Sequence, residues 1–282
     1  MCSTAELATE QGTAPDLSVI VVNWNVRDLL GACLASVLRQ RLPKGLEVWV
    51  VDNASTDGSA DFVAQAFPSV HVIRNGENRG YGAANNQGIC ASTGRHVLVL
   101  NPDTEILGGE LAVLVRFLDQ RPDVAVVGCP LVFADGSFQH SCFRFPGLWQ
   151  ALLDVAPLPA RLAETRLNGR YARAAYTRPM AIDHPLGACF ALRRTGLLFD
   201  ESYFMYAEEI DLCWRLRQAG WTIAYLPELT VLHHAGQSTR QVPLAMRRQL
   251  YRSRALFNRK HRGAAFNLAW RLLVRAGGAP LQ

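Results

Sequence analysis

Four apolar, β-branched runs punctuate the first hundred residues, LSVIVVN (17–23), LEVWVVDN (46–53), VHVIRN (70–75) and HVLVLNPD (96–103), and a helix-length stretch separates most from the next. No other feature constrains the fold as tightly, because strands alternating with helical segments build a parallel sheet covered by helices on both faces. Between the first two runs, Val26 to Gln40 carries Leu29, Leu30, Cys33, Leu34, Val37 and Leu38 at helical spacing, as an amphipathic helix should. Ser55 or Asp57 is placed to cap the next helix, and the third is expected to end at Ser92-Thr93-Gly94 with the glycine left-handed.

Each run ends in side chains suited to binding: Asn23 with Asn25, Asp52 with Asn53, Asn75 with Asn78, and Asn101 with Asp103. Ligands of open α/β sheets sit beyond the carboxyl ends of the strands, so these clusters should converge on one crevice. Asn and Asp also favour turns for reasons of local hydrogen bonding alone, and that alternative stands for each cluster.

The second half is less regular. VAVVGCPLVF (124–133) should extend the sheet, and Leu148 to Arg178 reads as a helix or a flap over the acceptor side. IDHPLGACFALRR (182–194) returns to strand character, a helix runs from about Ala207 to Gln218 and stops at Gly220, and WTIAYLPE forms a last strand. Seven scattered cysteines, an odd number with no Cys-x-x-Cys pair, argue against a disulfide framework or a zinc knuckle and read as buried thiols in a reducing cytoplasm. The first sixteen residues lack a basic start and an apolar stretch, so they read as a disordered tail and not as a signal peptide. No apolar run reaches the roughly 18 residues needed to span a bilayer.

Net charge is +5, but no Asp or Glu follows Glu228 while ten Lys and Arg do, leaving 19 basic against 24 acidic residues in the first 228. An acidic body thus carries a basic tail. Residues 242 to 276 read as one or two helices in which Leu250, Leu256, Phe257, Phe266, Leu268, Trp270, Leu272 and Leu273 accompany the arginines. Such a segment can dock on an anionic membrane surface or pack on the acidic body. No nucleic-acid-binding motif accompanies the charge.

Three groups could carry chemistry. Asp103 in LNPDT lies just past a buried strand, where its carboxylate could bind a hard cation completed by water and phosphate oxygens, or serve only as a cap. Glu208, Glu209 and Asp211 open a helix beside Phe204, Met205, Tyr206 and Trp214. An apolar surround raises a carboxylate pKa and favours a general base, although acids at a helix start are also favoured by the dipole. His233 and His234 point to opposite sides of a strand, so at most one can join Asp103 at a metal. NGENRGYGAANNQG is neither a dinucleotide fingerprint nor a P-loop; its glycines permit close backbone approach, with Asn78, Asn85 and Asn86 offering amides.

In order along residues 17 to 240, VVNWN, VDNASTDGS, NRGYGAANNQG, LNPDT, GACFALRR and FMYAEEIDLCWRLRQAGW resemble the family-2 inverting glycosyltransferases, in particular the bacterial rhamnosyltransferase-like branch that decorates cell-surface polysaccharides. The resemblance implies an α/β GT-A domain over 17–240, with a mostly parallel central sheet, between a disordered tail (1–16) and a basic helical extension (241–282). It implies that Asp52 contacts a pyrimidine base and that LNPDT stands at the family's Asp-x-Asp metal motif, with Asn101 in place of the first acid and Asp103 on Mg2+ or Mn2+. Glu209, beside Glu208, stands where the family has its catalytic base, with one more methylene than the usual Asp, and His233 matches the histidine before Gly-x-Ser. Asn23, Asn25, Asp52, Asn53, Asn78, Asn85, Asn101 and Asp103 are then the expected donor-binding set.

The implied reaction is one displacement with inversion, from a nucleoside diphosphate sugar to a hydroxyl of a lipid-linked saccharide on the inner face of the plasma membrane. dTDP-rhamnose is the first choice of donor and UDP-hexoses the next. The departures at Asn101 and Glu209 keep open a partner that binds donor or glycan without catalysis. A sugar nucleotidyltransferase is disfavoured, because NWNVRDLL is not the basic, glycine-rich loop such an enzyme needs after its first strand.

Overall fold

The computed structural model describes residues 14–155, 165–235 and 243–278. Its centre is β1 (Leu17–Asn23), buried at every residue and flanked in parallel by β2 (Leu46–Asp52) and β4 (His96–Leu100), with β3 (His71–Arg74) parallel at the edge. The register opposes Asn23 to Asp52 and Asp52 to Arg74, so the strands end level and their polar termini share one edge. On the other side of β4 the sheet becomes mixed. β12 (Cys189–Arg193) runs antiparallel between β4 and β6 (Val124–Gly128), β13 (Thr222–Tyr225) lies parallel to β6, and β10 (Met180–Ala181) closes the far edge antiparallel. The eight-stranded order is β10-β13-β6-β12-β4-β1-β2-β3.

Alternation along β1 separates two cores. Val19 and Val21 face α1 (Arg27–Leu38) and α4 (Ala112–Gln120), while Ile20 and Val22 face α3 (Tyr81–Ala91) and the helix called α6 below. The amphipathic reading of the first helix holds, with Leu30, Cys33, Leu34 and Val37 buried. Neither expected residue caps α2 (Ser59–Ala66), whose N-cap is Gly58; Asp57 Oδ1 accepts from the Ser59 amide at 3.0 Å from the position before the cap, and the Ser55 amide donates to Asp52 Oδ1 at 2.9 Å in the turn after β2. Gly94 is not left-handed as expected; it is glycine because a Cβ there would collide with the Ser18 backbone and hydroxyl.

Several expected boundaries shift. VAVVGCPLVF does not extend one sheet: Gly128 ends β6, and β7 (Leu131–Val132) joins a second sheet, ordered β5-β14-β7-β8, with β5 (Thr104–Gly108), β8 (Phe138–Gln139) and β14 (Thr230–His233). WTIAYLPE is therefore not the last strand, and His233 ends β14 instead of following β13. Of the 148–178 segment, α5 (Leu148–Val155) is helical and short 3-10 turns cover Arg166–Asn168 and Arg173–Thr177; 156–164 lie outside the described residues. Asp16, assigned to the tail, belongs to the domain, buried and ion-paired to Arg95 at 2.7 Å. The rest of that tail, apart from residues 14 and 15, is outside the described residues.

The basic extension forms α7 (Pro243–His261) and α8 (Ala264–Ala276) after α6 (Glu208–Gln218). α7 packs on the body. Phe257 is buried with Tyr203 and Ala207 and meets Trp214 edge-on, Lys260 pairs with Asp200, and His261 Nε2 lies 2.6 Å from the Asp211 carboxylate. Asp211 is 0% exposed and also accepts from Arg215 at 2.6 Å. If these contacts hold the extension, Phe257→Ala should cost about 3–5 kcal/mol and His261→Ala about 1–3 kcal/mol. Urea unfolding followed by tryptophan fluorescence measures both; unchanged midpoints would show that the extension is not part of the cooperative unit.

Candidate active site

The level strand ends open into a cavity of about 240 Å3. Its floor is Asn53 after β2 and Asn101-Pro102-Asp103 after β4. Antiparallel β12 pairs Cys189 with Leu100, which brings Gly187 and Ala188 to the same edge. The cavity thus forms where strand direction reverses, the place where open sheets bind ligands.

Asp103 and His233 meet on one wall. β14 runs antiparallel to β5 with His233 opposite Thr104, which leaves His233 Nε2 3.5 Å from Asp103 Oδ1. The other ring nitrogen, Nδ1, lies 3.2 Å from Gln139 Oε1. An amide oxygen there holds the proton on Nδ1 and turns the Nε2 lone pair toward Asp103, the arrangement in which imidazole binds a metal. His234 faces the other side, 3.3 Å from Glu105. The pair fits a Mg2+ or Mn2+ ion completed by phosphate and water oxygens. No cluster of three or more metal-binding side chains exists among the described residues, so the protein itself would supply few ligands.

Glu208 and Glu209, in the first turn of α6, line the same cavity. Asp211 does not line it; wholly buried, it is held by Arg215 and His261. Glu208 is 4% exposed and its Oε2 has no hydrogen-bond partner; burial, then the Glu209 charge, holds its carboxyl well above the usual range. Burial pushes Glu209 up to about 7, opposed by backbone hydrogen bonds and by the Arg254 guanidinium. Two acids this close do not both ionise easily, so Glu208 keeps its proton when Glu209 gives one up.

The turn before α6 is strained. Tyr206 and Ala207 adopt φ of 68° and 66°, left-handed without being glycine, which costs on the order of 1–3 kcal/mol each. The tail helix supports it: Ser253 Oγ donates to the Met205 carbonyl at 2.7 Å and Phe257 packs on Ala207. From the other side, the Tyr81 amide donates to the Phe204 carbonyl at 2.8 Å; Gly80, with φ of 84°, must be glycine, since a Cβ would strike that carbonyl.

The expected donor set divides. Asn53, Asn78, Asn101 and Asp103 line the cavity; Asn23, Asn25, Asp52 and Asn85 do not. Asn23 Nδ2 donates to Asp52 at 3.1 Å and to Ser55 at 3.1 Å, and Asn25 Oδ1 accepts from the Thr56 amide at 2.7 Å, so these residues tie the loops after β1 and β2 together. Asn85 is buried within α3, donating to the Tyr81 carbonyl at 3.0 Å. Even Asn53 is partly structural, donating to Asn78 at 2.8 Å and accepting from Asn75 at 3.0 Å. Asn101, standing for the first acid of Asp-x-Asp, has its Oδ1 2.9 Å from the Tyr81 hydroxyl, which also lies 2.8 Å from the Gly187 carbonyl. Trp24, Tyr81 and Tyr206 line the cavity and were not singled out as ligands, although each sits inside a run of polar motif residues. Arg254, whose charge acts on Glu209, carried no signal, being one of ten basic residues in the tail.

Comparison with known proteins agrees with this geometry. The profile described as "Glycosyl transferase family 2" matches residues 18–198. The chain is 31% identical over 245 residues, 80% of its length and 78% of the relative's, to the N-acetylglucosaminyl-diphospho-decaprenol L-rhamnosyltransferase of Mycobacterium tuberculosis. It is 27% identical to the low-salt glycan biosynthesis hexosyltransferase Agl10 of Haloferax volcanii, over 89% of this chain and 79% of that one. Among solved structures it matches mannosyltransferase PcManGT from Pyrobaculum calidifontis in complex with GDP-Man and Mn2+, at a TM-score of 0.60 and 20% identity, covering 96% of this chain and 73% of that one. It also matches GalNAc-T7 with UDP, GalNAc and Mn2+ at a TM-score of 0.57 and 18% identity, covering 79% of this chain but spanning only 44% of that one. These two likenesses establish the GT-A type of fold.

The buried acids can be checked without any substrate. Infrared difference titration should show a glutamate carboxyl ionising near 7, against about 4.3 for a free glutamate, and Glu209→Gln should remove it. A wild-type spectrum with every carboxyl ionised by pH 5.5 would count against the arrangement.

Proposed function

The chain belongs to glycosyl transferase family 2, and on that premise we propose that it transfers rhamnose from dTDP-rhamnose, with inversion, to a hydroxyl of a lipid-linked saccharide. The observation that carries this reading is that the Glu208–Glu209 pair lines the same cavity as Asp103 and His233. Inversion in a single displacement needs one base on the acceptor side and charge stabilisation on the leaving-group side, with no enzyme nucleophile.

In this scheme Glu209 accepts the proton of the acceptor hydroxyl as its oxygen bonds to the anomeric carbon. The bond from that carbon to the diphosphate oxygen breaks, and its electron pair leaves with the nucleoside diphosphate. Mg2+ or Mn2+ held by Asp103 and His233 would neutralise the charge that collects there. Asn101 and Tyr81, joined at 2.9 Å, hold the floor of the cavity. Burial keeps Tyr81 protonated, so its hydroxyl remains a donor at neutral pH. The M. tuberculosis relative, named for rhamnosyl transfer to a decaprenyl diphosphate saccharide, supports both the sugar and the lipid-linked acceptor.

Glu209 works only when ionised, so turnover should rise as pH increases through about 7 and fall below it. Glu209→Gln should lower kcat by about 10^2–10^4-fold with donor affinity retained, while Asp103→Ala should abolish metal-dependent thermal stabilisation by the donor. Radiolabelled transfer and thermal shift read these effects. Donor binding without turnover on any acceptor would leave a binding partner as the better reading.

The tail supports placement of this reaction at a membrane surface. No described helix is both long and apolar enough to cross a bilayer. On α8, Trp270 and Val274 are buried against α5 and α7, and the opposite face carries Leu268 and Leu272, 61% and 60% exposed, beside Arg271 and Arg275. Leucines flanked by arginines on an outward face match an interface of acyl chains and anionic headgroups. Phosphatidylglycerol vesicles should sediment the protein, and Leu268→Glu with Leu272→Glu should release it; equal sedimentation by wild type and double variant would overturn the placement.

A further inference from the structure

A second cavity, of about 290 Å3, adjoins the first, and the two share Leu186, Tyr206 and Glu209 as their common wall. Asp103 and His233 belong to the first cavity only; Arg170 and Arg254 belong to the second only. Glu209 is the one acid lining the second cavity among the described residues. We propose that this second cavity binds the anionic group of the acceptor, a diphosphate, through Arg170 and Arg254, and so sets the first sugar's hydroxyl against Glu209. The proposal rests on the glycosyltransferase reading and adds the residues and the cavity that would hold the acceptor's diphosphate.

Three features make this a built site. Arg254 projects from α7 one residue after Ser253, which is buried and bonded to the Met205 carbonyl, so its backbone is fixed relative to the catalytic turn. Arg170 is fixed by a β-bridge to Phe143, which also lines the cavity. Planar guanidinium groups bind phosphate oxygens two at a time, which suits a diphosphate better than a neutral sugar. Burial holds His184, a further wall residue, at about 4, so it stays neutral and the cavity's positive charge comes from the arginines. The remaining wall includes Phe143, Pro146 and Leu250, an apolar side that fits the first carbons of a prenyl chain. Leu250 lies one helical turn before Arg254 on α7, and Leu244, 76% exposed, lies further along that helix toward its start.

The arginine next to the base has a second effect. Its charge opposes the rise of the Glu209 carboxyl that burial causes. An acceptor anion on Arg254 would offset that charge and strengthen Glu209 as a base only when acceptor is present.

Calorimetric titration of the full chain with dTDP and Mg2+ present tests the proposal with three probes: N-acetylglucosaminyl diphosphate on a ten-carbon prenol, a glucuronate-terminated disaccharide, and neutral octyl N-acetylglucosaminide. The diphosphate probe should bind at least tenfold more tightly than the octyl glycoside. Arg170→Gln and Arg254→Gln should each weaken it about tenfold, leave octyl glycoside affinity unchanged, and leave the dTDP-induced thermal shift intact. Arginine-dependent binding of the glucuronate probe alone would overturn the diphosphate in favour of a carboxylate sugar. Equal affinity for charged and neutral probes, or no effect of either substitution, would overturn the anion site itself. Should Arg254→Gln fail to fold, Arg254→Lys and Arg170→Gln carry the test. Failure of donor binding with these affinities intact would reject the transferase reading and not the anion site.

Discussion

The side chain of Asp211, wholly buried in α6, takes Arg215 from its own helix and His261 from α7, both at 2.6 Å. A carboxylate removed from water at this depth is costly unless its oxygens are all engaged, and here each has a partner from a different direction. The consequence is mechanical. α6 cannot rotate without breaking the pair, and α7 cannot leave without stranding the carboxylate. The azimuth of Glu208 and Glu209, three and two residues earlier on the same helix, is fixed by this anchor, and so is the seat of Ser253 under the Met205 carbonyl. Three acids at one helix start look alike in the sequence; in the fold one is engaged in the body and two line the cavity.

Strain and burial at the Glu208–Glu209 pair depend on that anchor. Left-handed Tyr206 and Ala207 would relax in an isolated segment, but the turn is gripped by Tyr81 through the Phe204 carbonyl and by α7 through Met205. The grip holds the two carboxyls at the cavity, where burial raises both and the Glu209 charge raises Glu208 further. A glutamate ordinarily ionised far below neutrality is thereby raised to about 7, which suits the base role proposed for it.

Much of this was legible in the sequence because the determinants are local. Period and composition placed β1 at the residues where it lies, and a strand buried on both faces has no polar alternation to blur its ends. Asp103, His233 and the Glu208–Glu209 pair converge as their motifs imply. The strand-end polar residues were ambiguous for a physical reason: the groups that Asn23 and Asp52 would offer a nucleotide also hydrogen-bond each other, 29 residues apart in sequence. β14 was missed because four residues pairing antiparallel with β5, more than a hundred residues earlier, leave no period of their own. Gly94 shows the same limit, its constraint being the Ser18 backbone of a distant strand.

The basic tail was readable as charge but not as position, and its division of labour follows from geometry. α8 carries apolar side chains on both faces, one set buried with Tyr251 and Ala151 and the other exposed beside arginines. The buried face, with Trp270, packs the helix on the body, and the exposed leucines are the face for which membrane contact is proposed. The strand ends supply Asp103 and His233 to one cavity, while α7 supplies Arg254 to its neighbour, with Glu209 on the wall between them. A sheet whose strands end level can organise only the ligand at its edge. The partner that must attack from the opposite side needs a second scaffold, and the helix that clamps Asp211 is the one placed to provide it.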